Sequence, residues 1–131
     1  MLSTISLLAM ATTLVAPTLA VPTKAQFSGV MRHYSPSDGL GACGTLHQDS
    51  EFVVGLSPSL FDPQTPNGNP NNNPLCYKRL RISYNGKTVD ASVVDRCPGC
   101  PNQGDLDLSP AAFSALANLG DGVLNASWEW I

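Results

Sequence analysis

The stretch RLRISYNGKTVDASVVD, residues 79–95, constrains the fold more than any other part of the chain. Asn85-Gly86 is the strongest two-residue signal for a type I′ hairpin turn, because both central positions need positive φ. With Tyr84 facing Lys87, counting outward sets Ile82 against Val89 and Leu80 against Ala91 on one face. Arg81 then meets Asp90 on the other. A single register thus yields an apolar face and an opposite-charge pair, and a one-residue slip destroys both. The chain is expected to be built around antiparallel strands with one buried face.

Other segments fit around this hairpin. Phe27–Tyr34 is expected as a first strand, Glu51–Leu56 as a second, and Val123–Trp130, which alternates, as the last. Ser57-Pro58 and Ser109-Pro110 each place an N-cap before a proline at the first helical position. Better helix formers follow the second, which predicts a helix to about Asn118, with Phe113, Leu116 and Ala117 inward and Gly120 ending it. SPSDGLGACG (35–44) has three glycines that permit tight turns. DPQTPNGNPNNNP (62–74) has almost nothing to bury and is expected as an exposed loop on one rim. Five or six strands, one helix and long loops make a mainly β fold, a small barrel with a helix attached.

Residues 1–20 carry no charge, with an apolar run from Ile5 to Val15 and small residues near Thr18-Leu19-Ala20. This reads as a secretory signal peptide cleaved after Ala20, although its start lacks the usual Lys or Arg. The run is shorter than the roughly 20 residues of a membrane span. A flexible lead-in at 21–26 and a single domain at 27–131 follow, about 110 residues in all, enough for one modest core. Secretion implies an oxidising compartment, so the four cysteines are expected as disulfides rather than metal ligands. A net charge of −3 with scattered Lys and Arg argues against a nucleic-acid partner. No later segment is apolar enough to span a bilayer. A monomer without metal or cofactor is expected.

The chemistry concentrates in VVDRCPGCPNQGDLDLSPAAF (93–113), which sets Asp95, Asp105 and Asp107 around a C-x-x-C. These carboxylates are either the walls of a site or ordinary local devices. Asp107 lies two residues before Ser109 and would favour a helix N-terminus. Asp95, at a strand end, would accept backbone N–H bonds. Asp105 reads as a turn residue.

GLGACG, VVGLSPSLFD, NPLCYKRLRI, GKTVDASVVDRCPGC, DLDLSPAAFSALA and SWEW occur in that order. This series resembles the small secreted double-psi β-barrel proteins of the expansin, barwin and rare-lipoprotein-A group, in particular the single-domain fungal expansin-like proteins called loosenins. The resemblance runs from about Phe27 to the end of the chain. It implies a six-stranded double-psi β-barrel with one short α-helix and long loops, and an open groove in which polysaccharide lies. It also implies that Asp107, in the D-L-S motif, is the acid most associated with function and that Asp95 is the second. The threonine that lines the groove in bacterial expansins falls on Arg32, and Tyr77 stands where glycine is usual. An arginine beside a carboxylate lowers its pKa, which suits a general acid poorly.

Tyr34, Tyr77 and Tyr84 are candidates to stack on sugar rings, and Arg32 and Asp105 complete the candidate binding set. In the hydrolytic relatives, the family-45 endoglucanases, the base is an Asp of the first strand, yet residues 27–36 hold no carboxylate. The resulting expectation is a protein that binds cell-wall polysaccharide, such as cellulose or chitin, and loosens it largely without hydrolysis. The alternatives are a secreted protein-binding module, an effector or protease inhibitor, and a weak inverting endoglucanase or lytic enzyme. Of the three possible cysteine pairings, Cys43–Cys76 with Cys97–Cys100 is favoured. A four-thiolate zinc site lacks its second C-x-x-C. His33 and His47 read as surface groups, Trp128 and Trp130 as core, and Asn125-Ala126-Ser127 as a glycosylation sequon.

Overall fold

In the computed structural model, which describes residues 8–13 and 25–131, the chain turns at Asn85-Gly86 with φ of 48° and 80°. This is the left-handed pair that a type I′ turn requires. β3 (Arg79–Tyr84) and β4 (Lys87–Arg96) pair antiparallel. Tyr84 faces Lys87, Ile82 faces Val89, Leu80 faces Ala91 and Arg81 faces Asp90, the register counted from the sequence. Arg81 holds Asp90 through two hydrogen bonds of 2.7 and 3.0 Å on the solvent side. The expected signal peptide (1–20) and lead-in (21–26) fall for the most part outside the described residues.

Four further strands, β1 (Gln26–His33), β2 (Val53–Leu56), β5 (Leu106–Leu108) and β6 (Leu124–Trp130), join the hairpin. Together they close a barrel in the order β1-β5-β2-β4-β3-β6. β1 runs parallel to β5 and β2 parallel to β4, and the other neighbours are antiparallel. Closure leaves no open sheet edge. Period-two alternation fills the interior with Met31, Val54, Leu80, Ile82, Leu106 and Leu108, all fully buried. Trp128 is core, as expected. It stacks on Phe27 with ring centroids 4.2 Å apart and donates its indole N–H to the Gly104 carbonyl at 3.0 Å. Trp130 is half-buried and meets it edge-on at 5.0 Å.

Two helical expectations are corrected. α2 spans Pro110–Ser114 and ends short of Asn118, because residues 115–123 must turn the chain back into β6. Ser109 caps it, its hydroxyl accepting the Ala112 N–H at 3.3 Å. Phe113 and Leu116 do point inward. The helix ends at Ala115 and not at Gly120, which lies in a separate short turn over Leu119–Asp121 that Gly122 closes at φ 70°. α1 (Pro58–Phe61) starts at the expected place, but the Ser57 side chain does not cap it. That hydroxyl is buried and donates to the Gln103 carbonyl at 3.2 Å instead.

The Asn/Pro-rich loop folds into three successive 3₁₀ turns. Asn73 is its buried exception, donating to the Phe61 carbonyl at 2.8 Å and to Thr65 at 3.0 Å. Arg96 grips Asp62 with bonds of 2.7 and 2.8 Å and so ties this rim to the end of β4. The disulfides are Cys43–Cys76 and Cys97–Cys100, the favoured pairing. Among the described residues, no helix is long and apolar enough to cross a membrane.

Candidate functional site

Strict alternation along β4, with Val89, Ala91 and Val93 inward, would also turn Asp95 into the core. It does not, because β4 carries a bulge against β2. Val54 pairs with Val93, yet the next residue, Gly55, pairs with Asp95. Val94 is the extra residue, and it rephases the strand so that Asp95 shares the outer face with Gly55. On β5, Leu106 and Leu108 point inward, which leaves Asp107 outward. Asp107 also pairs with Gly55 on one side and with Arg32 of β1 on the other. A row of Arg32, Asp107, Gly55 and Asp95 therefore crosses four adjacent strands. Gly55, which has no side chain and is buried, lies between two aspartates whose Cα atoms stand about 10 Å apart, two strand spacings.

The charges in this row are unequal. Asp107 is pushed up to about 6, first by burial and then by the Asp95 charge, while His33 and Arg32 pull the other way. Arg32 does pull this acid down, as expected. It is exposed and forms no ion pair among the described residues, so burial and the Asp95 charge outweigh it. One oxygen of Asp107, Oδ1, is buried without a hydrogen-bond partner. So is the Tyr34 hydroxyl. Burial, then the Asp95 and Asp107 charges, and last the approach of the Asp95 side chain, drive its ionisation far above the usual tyrosine range, so it keeps its proton. Asp95 Oδ1 accepts the backbone N–H groups of Ala42 and Arg96, both at 2.8 Å. The site thus offers one carboxyl that holds its proton up to about pH 6, one hydroxyl without a partner and one carboxyl group anchored by a single oxygen. Among the described residues, no group of three or more His, Cys, Asp or Glu side chains is placed to hold a metal ion.

Three sequence candidates lie elsewhere. Asp105 is 1 % exposed, and its two oxygens accept the N–H groups of Val30 and Asn102, each at 2.9 Å. It clamps the segment before β5 onto β1 and cannot touch a ligand. Tyr84, at the hairpin tip, is about 26 Å along β4 from Asp95 at the usual strand rise. Tyr77 lines a different cleft, of about 400 Å³, with His47, Glu51, Phe52, Arg79 and Asp90. Its φ is 67°, the left-handed region that explains why glycine is usual there. His47 is no plain surface group: its Nε2 is 2.7 Å from the Thr45 hydroxyl and its Nδ1 is 3.2 Å from Glu51. Sequence reading missed Gly55 as the groove floor, although a glycine inside the apolar strand VVGL is the signal for a close approach.

The protein family described as lytic transglycolase matches residues 54–128. The chain is 40 % identical over 114 residues to the papain inhibitor of Streptomyces mobaraensis, covering 85 % of this chain and 76 % of that protein. It is 35 % identical over 102 residues to EG45-like domain containing protein 2 of Arabidopsis thaliana, 69 % of each. The solved structure of the Streptomyces papain inhibitor superposes with a TM-score of 0.73 at 36 % identity, over 85 % of this chain and 98 % of that one. A point mutant of Clavibacter michiganensis expansin in complex with cellohexaose superposes with a TM-score of 0.65 at 26 % identity, over 82 % of this chain and 50 % of that one.

Proposed function

This chain belongs to the double-psi β-barrel family described as lytic transglycolase, and from that premise we propose that it is a secreted protein that binds cell-wall polysaccharide in the Asp107–Gly55–Asp95 groove and loosens it largely without hydrolysis. The observation that carries the reading is the Asp107–Gly55–Asp95 row, which sets two acids on one outer face with the polar atoms Tyr34 Oη and Asp107 Oδ1 unpartnered beside it. A groove that leaves such groups unmatched is suited to a ligand rich in hydroxyls, since each is costly until a partner arrives. The expansin structure in complex with cellohexaose supports the same ligand class.

Hydrolysis needs an acid and a competent base flanking a water, with carboxyl groups roughly 6.5–9.5 Å apart. Asp107 has the protonation state of an acid near pH 6. Asp95 has its Oδ1 engaged by the backbone N–H groups of Ala42 and Arg96, which leaves that oxygen already occupied. The pair is therefore better suited to gripping sugar hydroxyls than to activating water.

The test is co-sedimentation with insoluble cellulose and chitin, with reducing-sugar release measured in the same tubes. Wild type is expected to pellet with polymer and to release no sugar, and Asp107→Ala and Asp95→Ala to stay in solution at matched folding. If both variants pellet like wild type, the groove is not the site. Sugar release abolished by Asp107→Asn would make the protein a hydrolase.

A second reading has its own observation. The papain inhibitor shares 40 % identity with this chain, and the solved Streptomyces papain inhibitor is spanned over 98 % of its length. On this reading the barrel is a scaffold for binding a protease, and inhibition of papain by the purified protein is the direct test.

A further inference from the structure

We infer that residues 39–46 form a rigid apolar ridge that docks into the substrate cleft of a papain-type protease, an inference that rests on the inhibitor reading above. The Gly41 N–H donates to the Thr45 carbonyl at 3.1 Å and the Gly44 N–H to the Gly41 carbonyl at 2.9 Å, closing a tight loop. Leu40 and Leu46 are the next positions outward from that closure and so flank its base. They are 72 % and 53 % exposed. Neither belongs to the hydrophobic core or packs against it. Isolated surface leucines are ordinary, but two at one loop mouth make an apolar feature with no internal use.

The loop is held more firmly than its exposure requires. Cys43 donates its N–H to the Val94 bulge carbonyl at 3.2 Å, and Ala42 donates to Asp95 at 2.8 Å. The Cys43–Cys76 disulfide ties the loop sideways. Gly41 lies so close to the Val94 carbonyl that a Cβ has no room there. Tyr77 props the far side, its hydroxyl 3.3 Å from the Cys43 carbonyl and 3.1 Å from the Thr45 hydroxyl. Thr45 continues through His47 to Glu51. Tyr77 does this from a left-handed backbone at φ 67°, a strained state that persists only where surrounding contacts impose it.

Rigidity and shape together point to the partner. A loop already ordered in its bound form loses little entropy on association. A convex pair of leucines has no hydrogen-bonding group and no aromatic face to offer a sugar, whereas a concave and mostly apolar cleft accepts it. An enzyme substrate cleft has that form, and a loop held at so many points resists being drawn into cleavable geometry.

The experiment is inhibition of purified papain by the full chain and its variants, with melting curves for each. Wild type is expected to inhibit. Leu40→Asp with Leu46→Asp should weaken inhibition about 100-fold, and Tyr77→Phe about tenfold, as truncated interface anchors do. Leu40→Met with Leu46→Met should retain inhibition. If the double Asp variant melts like wild type and inhibits equally well, the ridge is not the docking element, and the inhibitor reading stands without it. If wild type itself fails to inhibit, that reading falls and takes the ridge with it. Should the double Asp variant unfold early, Leu40→Ser with Leu46→Ser is judged by the same criterion.

Discussion

Asp95 and Asp107 are both paired with Gly55, the first across β4 and the second across β5. Two acids twelve positions apart in the chain thereby flank one strip of side-chain-free backbone. The charge on Asp95 helps keep the proton on Asp107. The groove's floor and spacing follow from that shared partner, while burial is the larger cause of the proton's retention.

Filling the strip should remove ligand binding without unfolding the barrel. Gly55 is buried, but a Cβ built on it meets its nearest neighbours at 3.5 Å, an ordinary contact, so a methyl group fits. Gly55→Ala is therefore expected to melt within a few degrees of wild type and to lose polymer binding at least tenfold, a change of about 1.4 kcal/mol. Binding equal to wild type would place the ligand elsewhere.

Asp107 makes stability depend on pH with a definite sign. Its folded pKa of about 6 exceeds the ordinary 3.8, so between those values the folded chain holds more protons than the unfolded one. Stability therefore falls as pH rises through about 4 to 6 and stays reduced above. Because solvent partly reaches the carboxylate, the loss is discounted to about 1 kcal/mol. Asp107→Asn has no charge to bury. It should be more stable than wild type in urea at pH 7.5 and equal to it at pH 4. No difference at pH 7.5 would refute the raised pKa.

Tyr34→Phe separates ligand binding from stability. The hydroxyl is buried without a partner, so its removal should leave stability unchanged or raise it by up to about 1 kcal/mol. Affinity for polymer should drop about fivefold, since the groove loses a donor. A Tyr34→Phe protein less stable than wild type would reveal an internal bond for that hydroxyl.

The two disulfides should differ in weight. Cys43–Cys76 joins residues separated by 33 positions and Cys97–Cys100 residues separated by 3. The loop-entropy relation assigns about 3–4 kcal/mol to the first and about 2 kcal/mol to the second. Paired Cys→Ala variants compared by denaturant unfolding should show that order. The reverse order would mean that the short bridge holds native structure that the chain-entropy argument omits.

Gly104→Ala should fail to fold. Its Cβ would overlap the Ser28 carbonyl where the segment before β5 crosses β1, a backbone clash with no flexible end to yield. A loss above about 4 kcal/mol is expected from such a clash. Gly99→Ala, in open space, should change little. A soluble Gly104→Ala protein with a normal melting curve would overturn the crossing geometry.

Much of the scaffold is written in local rules. Asn85-Gly86 and the alternation around it determined the hairpin register, because a type I′ turn and one buried face leave a single consistent pairing. Ser109-Pro110 determined where α2 begins, and the placement of β1, β2 and β6 was legible to within two residues. β5 was not legible as a strand, since three residues are too few to show a period. The site was legible as a list of acids but not as a place. Asp105 and Asp107 stand two apart, and the resemblance favoured Asp107 while leaving Asp105 in the candidate binding set. Only the crossing onto β1 gives Asp105 to the backbone of Val30 and Asn102, and only the Gly55 pairing exposes Asp107 to the groove. The bulge at Val94 that turns Asp95 outward exists only against β2, from the far side of the chain. Turns and periods are decided by neighbours along the chain, whereas burial, charge coupling and the direction of a bulged side chain are decided by whichever distant segment closes over them.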